Sequence, residues 1–310
     1  MLDLRRLRYF VTVADELHFG RAAQRLRIAQ PPLTRHIAAL EAELGVRLFE
    51  RSTRAVRLTP EGALFLEQAR SVIDAVGEAE ATARQMAHGL AGRIVIGYAS
   101  AIPMSDAFPD LVRHASRSMP DVELAFREVA TTGQRQQIAD GAMDIGFGWT
   151  ATHAHAHEPA NDAHERIRSL VVAQAPLVAA VPAQSPYAKR ASVAFADLAA
   201  QTFVTFPPGL GSALNVALED LCAQAGVTPR VGATAAQITT LVSLVAAERG
   251  VAIVPGFTAT LQRPGVAYVP LAARYVVDQI VMWREPFASA CVERFVGLAR
   301  ALAHASAGRA

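Results

Sequence analysis

Near the N-terminus the chain allows only three residues, Arg27-Ile28-Ala29, between two stretches of helical periodicity. Before them, Ala22, Ala23 and Leu26 mark the inner face of a short helix predicted from Arg21 to Leu26. After them, Leu33, Ile37, Leu40 and Leu44 form the buried stripe of a longer helix predicted to open at Pro31. Proline suits a first helical turn because its missing N–H would have no partner there. Gly45 follows where a helix C-terminus favours glycine. An earlier helix fits Leu4 to Leu17, with Leu7, Phe10, Val13 and Ala14 facing inward. Short helix, tight turn and longer helix form a helix-turn-helix, whose second member lies in the major groove of a duplex.

With Leu33 and Ile37 inward, the long helix presents Gln30, Pro32, Thr34, Arg35 and His36 outward, followed by the small Ala38 and Ala39. Past Gly45, Val46–Phe49 and Ala55–Leu58 are predicted as two short strands, and Glu50–Arg54 as the basic tip between them. The charge distribution agrees. Residues 1–58 hold 11 Arg against 6 Asp and Glu, a net of +5; the remainder holds 19 basic and 22 acidic residues, a net of −3. A basic head on a mildly acidic body suits a part that touches phosphate joined to a part that does not. Taken singly, Arg35, His36, Arg51 and Arg54 read equally well as solvated surface side chains.

Thr59, Pro60 and Glu61 read as the cap, first residue and dipole-favouring acid of a helix reaching His88 and stopping at Gly89. Its stripe of Ala63, Leu66, Ala69, Ile73, Val76 and Ala83 suits burial against a partner helix, with packing on its own C-terminal body as the alternative. Strand and helix patterns alternate from Arg93 onward, which predicts open α/β sheets with helices on both faces. Such sheets bind ligands beyond the carboxyl ends of their strands. That rule selects the loops Tyr98–Pro103, Ala130–Gly133, Phe206–Ser212 and Thr234–Gln237. They carry the hydroxyls of Ser100, Thr131 and Thr132, the apolar Phe206 and Pro207, and the permissive Gly209 and Gly211. A small carboxylate with an apolar or aromatic body suits this chemistry.

Other chemistries find little support. The sequence has no Gly-x-Ser-x-Gly elbow, no His-Glu-x-x-His helix and no cofactor fingerprint, so an enzyme is not expected. Gly209-Leu210-Gly211-Ser212 lacks the lysine of a phosphate loop. His153, His155 and His157 alternate in a polar loop without cysteine, which reads as a solvated crossover rather than a metal site. Cys222 and Cys291 form no ligand pattern and suit a reducing cytoplasm. No apolar run spans a membrane, and the charged start is not a secretory signal. A solute-binding protein made of similar lobes is the alternative function; the basic head and absent signal speak against it.

One unbroken pattern then resembles the LysR-type transcriptional regulators. It runs through Leu7-Arg8-Tyr9-Phe10-Val11, Phe19-Gly20-Arg21-Ala22-Ala23-Gln24-Arg25-Leu26 and Ala29-Gln30-Pro31-Pro32-Leu33-Thr34-Arg35-His36-Ile37. It continues through Leu40-Glu41, Leu44-Gly45, Leu48-Phe49-Glu50-Arg51 and Leu58-Thr59-Pro60-Glu61-Gly62, and later through Glu128–Thr131, Asp144–Gly148 and Gly250–Pro255. The resemblance implies a winged helix-turn-helix (residues 1–58), a dimerising linker helix (59–89) and a two-lobed α/β effector domain of periplasmic-binding-protein type (90–310). It places lobe I at about 90–164 and 270–310, and lobe II at about 165–269. It implies promoter DNA, a small-molecule co-inducer and further copies of the chain, as a dimer of dimers or a dimer, as partners, with RNA polymerase as a further contact. The Gln-Pro-Pro start is similar to regulators of aromatic-compound catabolism.

By the same resemblance, Gln30, Pro31, Pro32, Thr34, Arg35 and His36 take DNA-contact positions, with Arg51 and Arg54 in the wing. His36 stands where relatives often carry Gln, without the bidentate geometry that suits adenine. Thr131, Phe206 and Pro207 fall in the effector cleft. Ser100 lies one residue before the family's usual serine position, which Ala101 occupies. Trp149 replaces an arginine of some relatives, offering a stacking surface in place of a charge partner and arguing against a dicarboxylate.

Overall fold

The computed structural model describes residues 2–51, 55–151, 166–208 and 212–307. They form two compact units, Met1–Arg84 and Gln85–Ala310.

In the first unit, α1 (Leu4–Glu16), α2 (Phe19–Arg25) and α3 (Gln30–Leu44) surround a small core. Leu33, Ile37 and Leu40 are fully buried, each contributing about 1.5–3 kcal/mol by leaving water. Phe10 packs against Phe49 and Phe65 with ring centroids 5.4 and 5.2 Å apart. The turn between α2 and α3 closes through bonds from the Leu26, Arg27 and Ile28 N–H groups to the carbonyls of Ala22, Gln24 and Ala23, with Arg27 at φ 54°. The sequence expectation that α3 opens at Pro31 shifts by one residue to Gln30.

A short antiparallel hairpin, β1 (Phe49–Arg51) and β2 (Val56–Leu58), follows. The expected strand over Val46–Phe49 therefore lies three residues later. Glu41 explains the shift: its Oε1 accepts the N–H groups of Leu48 and Phe49, at 2.9 and 3.1 Å, which hold the segment after Gly45 as a loop. Leu48 plugs the core from that loop.

The linker helix α4 (Pro60–Ala87) is capped by Thr59, as expected. Thr59 Oγ1 accepts the Gly62 N–H at 2.8 Å and donates to the Arg47 carbonyl at 2.7 Å. A Cβ on Gly62 would stand 2.1 Å from the Leu48 carbonyl oxygen, so only glycine fits there. Phe65, Leu66, Ala69 and Ile73 pack on the core of their own unit. Part of the stripe expected to meet a partner is thus already covered, while Leu64, Val72 and Met86 stay exposed.

In the second unit, β3 (Ala91–Tyr98), β4 (Asp121–Glu128) and β5 (Ile145–Ala151) are parallel, with α5 (Ala107–Ser118) and α6 (Thr131–Ala139) as crossovers. The 16-residue β6 (Ile167–Pro182) comes next. Then follow α7 (Phe195–Leu198), β7 (Thr202–Thr205), α8 (Ala213–Ala225), β8 (Arg230–Thr234), α9 (Ile238–Ala246), β9 (Ala252–Pro255), β10 (Val266–Pro270), β11 (Val276–Arg284) and α10 (Ala290–Ala307). Sheet order is β10-β6-β11-β5-β3-β4, with β9 also on β6.

Strand β6 serves both halves of this unit. Residues 167–176 pair with β11, which pairs in turn with β5. Residues 177–182 pair with β9 and β10 instead. The parallel pair β7–β8 adjoins the second half through a bridge from Phe203 to Val251. The chain crosses between halves a second time at 271–275, where the Leu177 N–H donates to the Tyr275 carbonyl at 2.8 Å. The Tyr275 hydroxyl donates to Asp220 Oδ2 of α8 at 2.7 Å; burial foremost, then this bond, pushes its pKa up.

Candidate functional site

The first unit offers one face of α3. Its first turn has no side-chain cap at Ala29, but Pro31 and Pro32 remove two of the N–H groups that would need one. Gln30, Pro31 and Arg35 are exposed, and Pro32, Thr34 and His36 are half-buried. Thr34 Oγ1 donates to the Gln30 carbonyl at 3.1 Å, leaving its oxygen lone pairs to accept. The His36 ring meets Tyr9 edge-on at 5.2 Å, so the helix core takes part of its surface.

Some arginines of this unit are held by acids, and Arg35 is among those that are not. Arg6 pairs with Glu43, Arg21 with Glu16, and Arg25 with Asp15 and Glu16. Arg35 makes no ion pair or hydrogen bond among the described residues. Its guanidinium is open to a phosphate or a base edge. His18 fixes α2 before this face by accepting the Gly20 and Arg21 N–H groups on Nδ1, a cap the sequence did not reveal. Arg54 lies outside the described residues, as does the side chain of Arg51.

The second unit encloses a cavity of about 350 Å³ to which all four sequence-selected loops contribute. Ser100 and Ala101 come from the loop after β3, Ala130 and Thr131 from the start of α6, Phe206 and Ser212 from the loop after β7, and Ala236 and Gln237 from the start of α9. Trp149 of β5 completes an aromatic wall with Phe206, both about 7% exposed. Pro207 is half-buried and not part of the lining. Gly209 and Gly211 lie outside the described residues, as do His153, His155 and His157.

Several side chains are tied in place. Thr131 Oγ1 accepts the Trp149 N–H at 3.2 Å, which leaves its hydroxyl hydrogen to donate elsewhere. A Cβ on Gly148 would come within 2.6 Å of Thr131 Cγ2, so this glycine lets the threonine sit against the strand. Asn215 clamps Phe206 from both sides: its Oδ1 accepts the Phe206 N–H and its Nδ2 donates to the Phe206 carbonyl, at 3.2 and 2.8 Å. Buried Gln134 donates Nε2 to the carbonyls of Val129 and Phe147. Neither Asn215 nor Gln134 shows in the sequence, because each acts on backbone that periodicity cannot bring together.

Backbone donors also reach this cavity. Helices α6 and α9 begin there without side-chain caps at Ala130 and Gln237. The Trp149 indole N–H is buried with no partner among the described residues. Among the described residues Glu128 is the one ionisable group in the lining, and its Oε1 accepts from Gln237 Nε2 at 2.9 Å. Among the described residues no cluster of three or more His, Cys, Asp or Glu is placed to hold a metal, and no helix is long and apolar enough to cross a membrane.

Residues 4–63 match the family described as bacterial regulatory helix-turn-helix protein, lysR family, and residues 87–303 match the LysR substrate binding domain. The chain is 36% identical over 282 residues to the uncharacterized HTH-type transcriptional regulator YnfL of Escherichia coli strain K12, covering 91% of each chain. It is 31% identical to the HTH-type transcriptional regulator AlsR of Bacillus subtilis strain 168, over 89% of each. The crystal structure of full-length CbnR complexed with its target DNA superposes with a TM-score of 0.80 at 28% identity, covering 97% of this chain and 100% of that one. The chain belongs to the LysR family: it is a DNA-binding transcription regulator with an N-terminal helix-turn-helix and a substrate-binding domain.

Proposed function

We propose that this regulator is switched by a small organic acid with an aromatic or apolar body, bound between the two halves of its second unit. One observation carries the reading: two uncapped helix starts and the unpartnered Trp149 N–H converge on a cavity walled by Trp149 and Phe206. Helix N-termini and free N–H groups favour a carboxylate, and the two rings favour a flat apolar body. A monocarboxylate fits better than a dicarboxylate, because among the described residues no lysine or arginine lines the cavity and the carboxyl side chain of Glu128 does. Ser100, Ala101, Thr131, Trp149 and Phe206 form the contact set, with Pro207 beside it.

On the DNA side, Gln30, Pro31, Pro32, Thr34, Arg35 and His36 contact the major groove, and Arg51 and Arg54 the adjoining backbone. The apolar Leu64, Val72 and Met86 that α4 leaves exposed support pairing with a second copy, and two pairs make the tetramer. The protein acts in the cytoplasm, where the effector shifts a two-state equilibrium only if it binds the states unequally. The change reaches transcription through DNA bending or contact with RNA polymerase.

The test is a footprint on the DNA upstream of the coding region, with and without benzoate-type acids, paired with calorimetric titration of the same acids. A dyad-like protected site whose extent changes with one acid supports the whole reading. Binding to DNA that no acid alters, with no heat of acid binding, removes the acid while leaving the regulator.

A further inference from the structure

Beside Trp149 lies a second cavity of about 260 Å³. Its lining joins Ser105 and Asp106 before α5, Ala173–Pro176 of β6, Phe257, and Gln279 of β11. Gln279 is only 1% exposed. Ser105 Oγ donates its hydrogen to the Ile102 carbonyl at 3.0 Å, so toward Gln279 it can only accept. Gln279 Nε2 donates to it at 2.7 Å. These two bonds fix which way the amide points. They leave Gln279 Oε1 as a buried acceptor with no donor among the described residues. A buried carbonyl oxygen in that state is uncommon in folded proteins and calls for an occupant.

The rest of the lining gives that occupant its character. Asp106 sits exposed at the rim, caps no backbone N–H of α5, and has no ion pair among the described residues. Among the described residues no lysine or arginine lines the cavity. Phe257 supplies an apolar face. Acceptors and a negative charge around one apolar ring are complementary to a cation with N–H donors and a short hydrocarbon or aromatic body. The first cavity instead draws on the uncapped starts of α6 and α9, so the two sites ask for different ligands.

We propose that this cavity is a second ligand site, taking a small organic ammonium compound whose N–H groups meet Gln279 Oε1 and Asp106 while its body lies on Phe257. The site adjoins the place where the β6–β11 register shifts, between Gln279 and Ile280. Phe257 also stacks on Trp149, with centroids 5.6 Å apart and planes 20° from parallel. Trp149 lines the first cavity, so one ring pair separates the two sites.

That stack supplies the readout. Trp149 and Trp283 are the chain's two tryptophans, so full-length protein carrying Trp283→Phe reports on Trp149 alone. Benzylamine hydrochloride is the probe and benzoate its anionic counterpart. Benzylamine is expected to change the Trp149 emission saturably, with millimolar affinity for a ligand this small. Asp106→Asn is expected to weaken it by about threefold to fivefold, the upper part of the range of an exposed ion pair. Gln279→Met removes the acceptor and weakens it by about tenfold. Phe206→Ala, in the first cavity, alters the benzoate titration and leaves that of benzylamine alone. The rim substitution Asp106→Asn decides the matter even if Gln279→Met fails to fold. No saturable change at about 20 mM benzylamine, or an affinity that Asp106→Asn leaves untouched, overturns the proposal. So does a high-resolution structure from benzylamine-soaked crystals with only water against Gln279.

Discussion

Thr59→Val tests how the recognition unit is joined to its linker helix. Valine keeps the size and shape of threonine, and the site is only 8% exposed, so packing changes little. Two bonds vanish together: the Gly62 N–H loses its acceptor and the Arg47 carbonyl loses its donor. Loss of a helix cap costs about 1 kcal/mol. Loss of a further hydrogen bond beside it costs about 1 kcal/mol more. The unit Met1–Arg84 is small enough that each kcal/mol moves its midpoint by about 4–8 °C. A loss of about 2 kcal/mol therefore lowers its unfolding temperature by roughly 8–16 °C. Calorimetry of the full-length protein reads the shift, and amide exchange over residues 47–66 assigns it to this unit. Thr59→Ser keeps both bonds and should remain near wild type. A Thr59→Val midpoint close to wild type, or a Thr59→Ser midpoint as low as that of valine, would refute the reasoning that the hydroxyl anchors α4.

Other substitutions probe the two faces of the protein. Arg35→Ala should weaken operator binding by about 1–3 kcal/mol per head if the guanidinium reads a base, with acid affinity unchanged; gel shifts over a salt series separate base from phosphate contact, since loss of a phosphate contact also flattens the salt slope. Glu128→Gln removes the negative charge from the first cavity's lining while keeping an acceptor for Gln237. Two like charges ~6 Å apart in a wet opening repel by roughly 1 kcal/mol, so titration should find acids binding about fivefold tighter, and unchanged affinity would contradict an acid seated near that residue. Gly148→Ala forces a methyl to within 2.6 Å of Thr131 Cγ2; overpacking of this kind costs about 1–3 kcal/mol, and acid binding should fall while operator binding by the first unit persists.

The legible parts of this chain were those set by local chemistry. Proline at the start of α3, Gly45 at its end and the apolar stripe between them determine that helix within the recognition unit. Ser212 and Gly226 bound α8 by the same local chemistry, since one caps the helix with its hydroxyl and the other takes a left-handed φ of 68°. The four ligand loops were legible because the end of a strand and the start of a helix are both local signals. The first half of β6 was not. Its burial does not alternate cleanly, since the strand changes partners near Pro176 and carries an extra residue, Val172, where its register with β11 shifts. Glu128 stood in plain view as part of a motif, but its bond to Gln237 joins residues 109 positions apart. The charge that argues most directly about the ligand was therefore invisible until the sheet was assembled.

The double use of β6 bears on how a ligand could act. Because residues 167–176 belong to one half and 177–182 to the other, the halves cannot rotate without bending this strand or the returning segment 271–275. Both crossings are bound to each other through Leu177 and Tyr275, and Tyr275 is bound to α8 through Asp220. A free swing about a flexible linker is thus excluded by the bonding, and the compliant places are the irregular ones. The register shift at Gln279/Ile280 is one such place, and it adjoins the second cavity. We therefore expect closure around an acid to be a small bend concentrated there rather than a large hinge opening. Hydrogen exchange measured with saturating acid should slow at residues 173–177 and 277–281 and leave the interior of α10 unchanged. Slowing spread evenly over the whole unit would instead mean general stabilisation by binding, with no bend localised at the crossing.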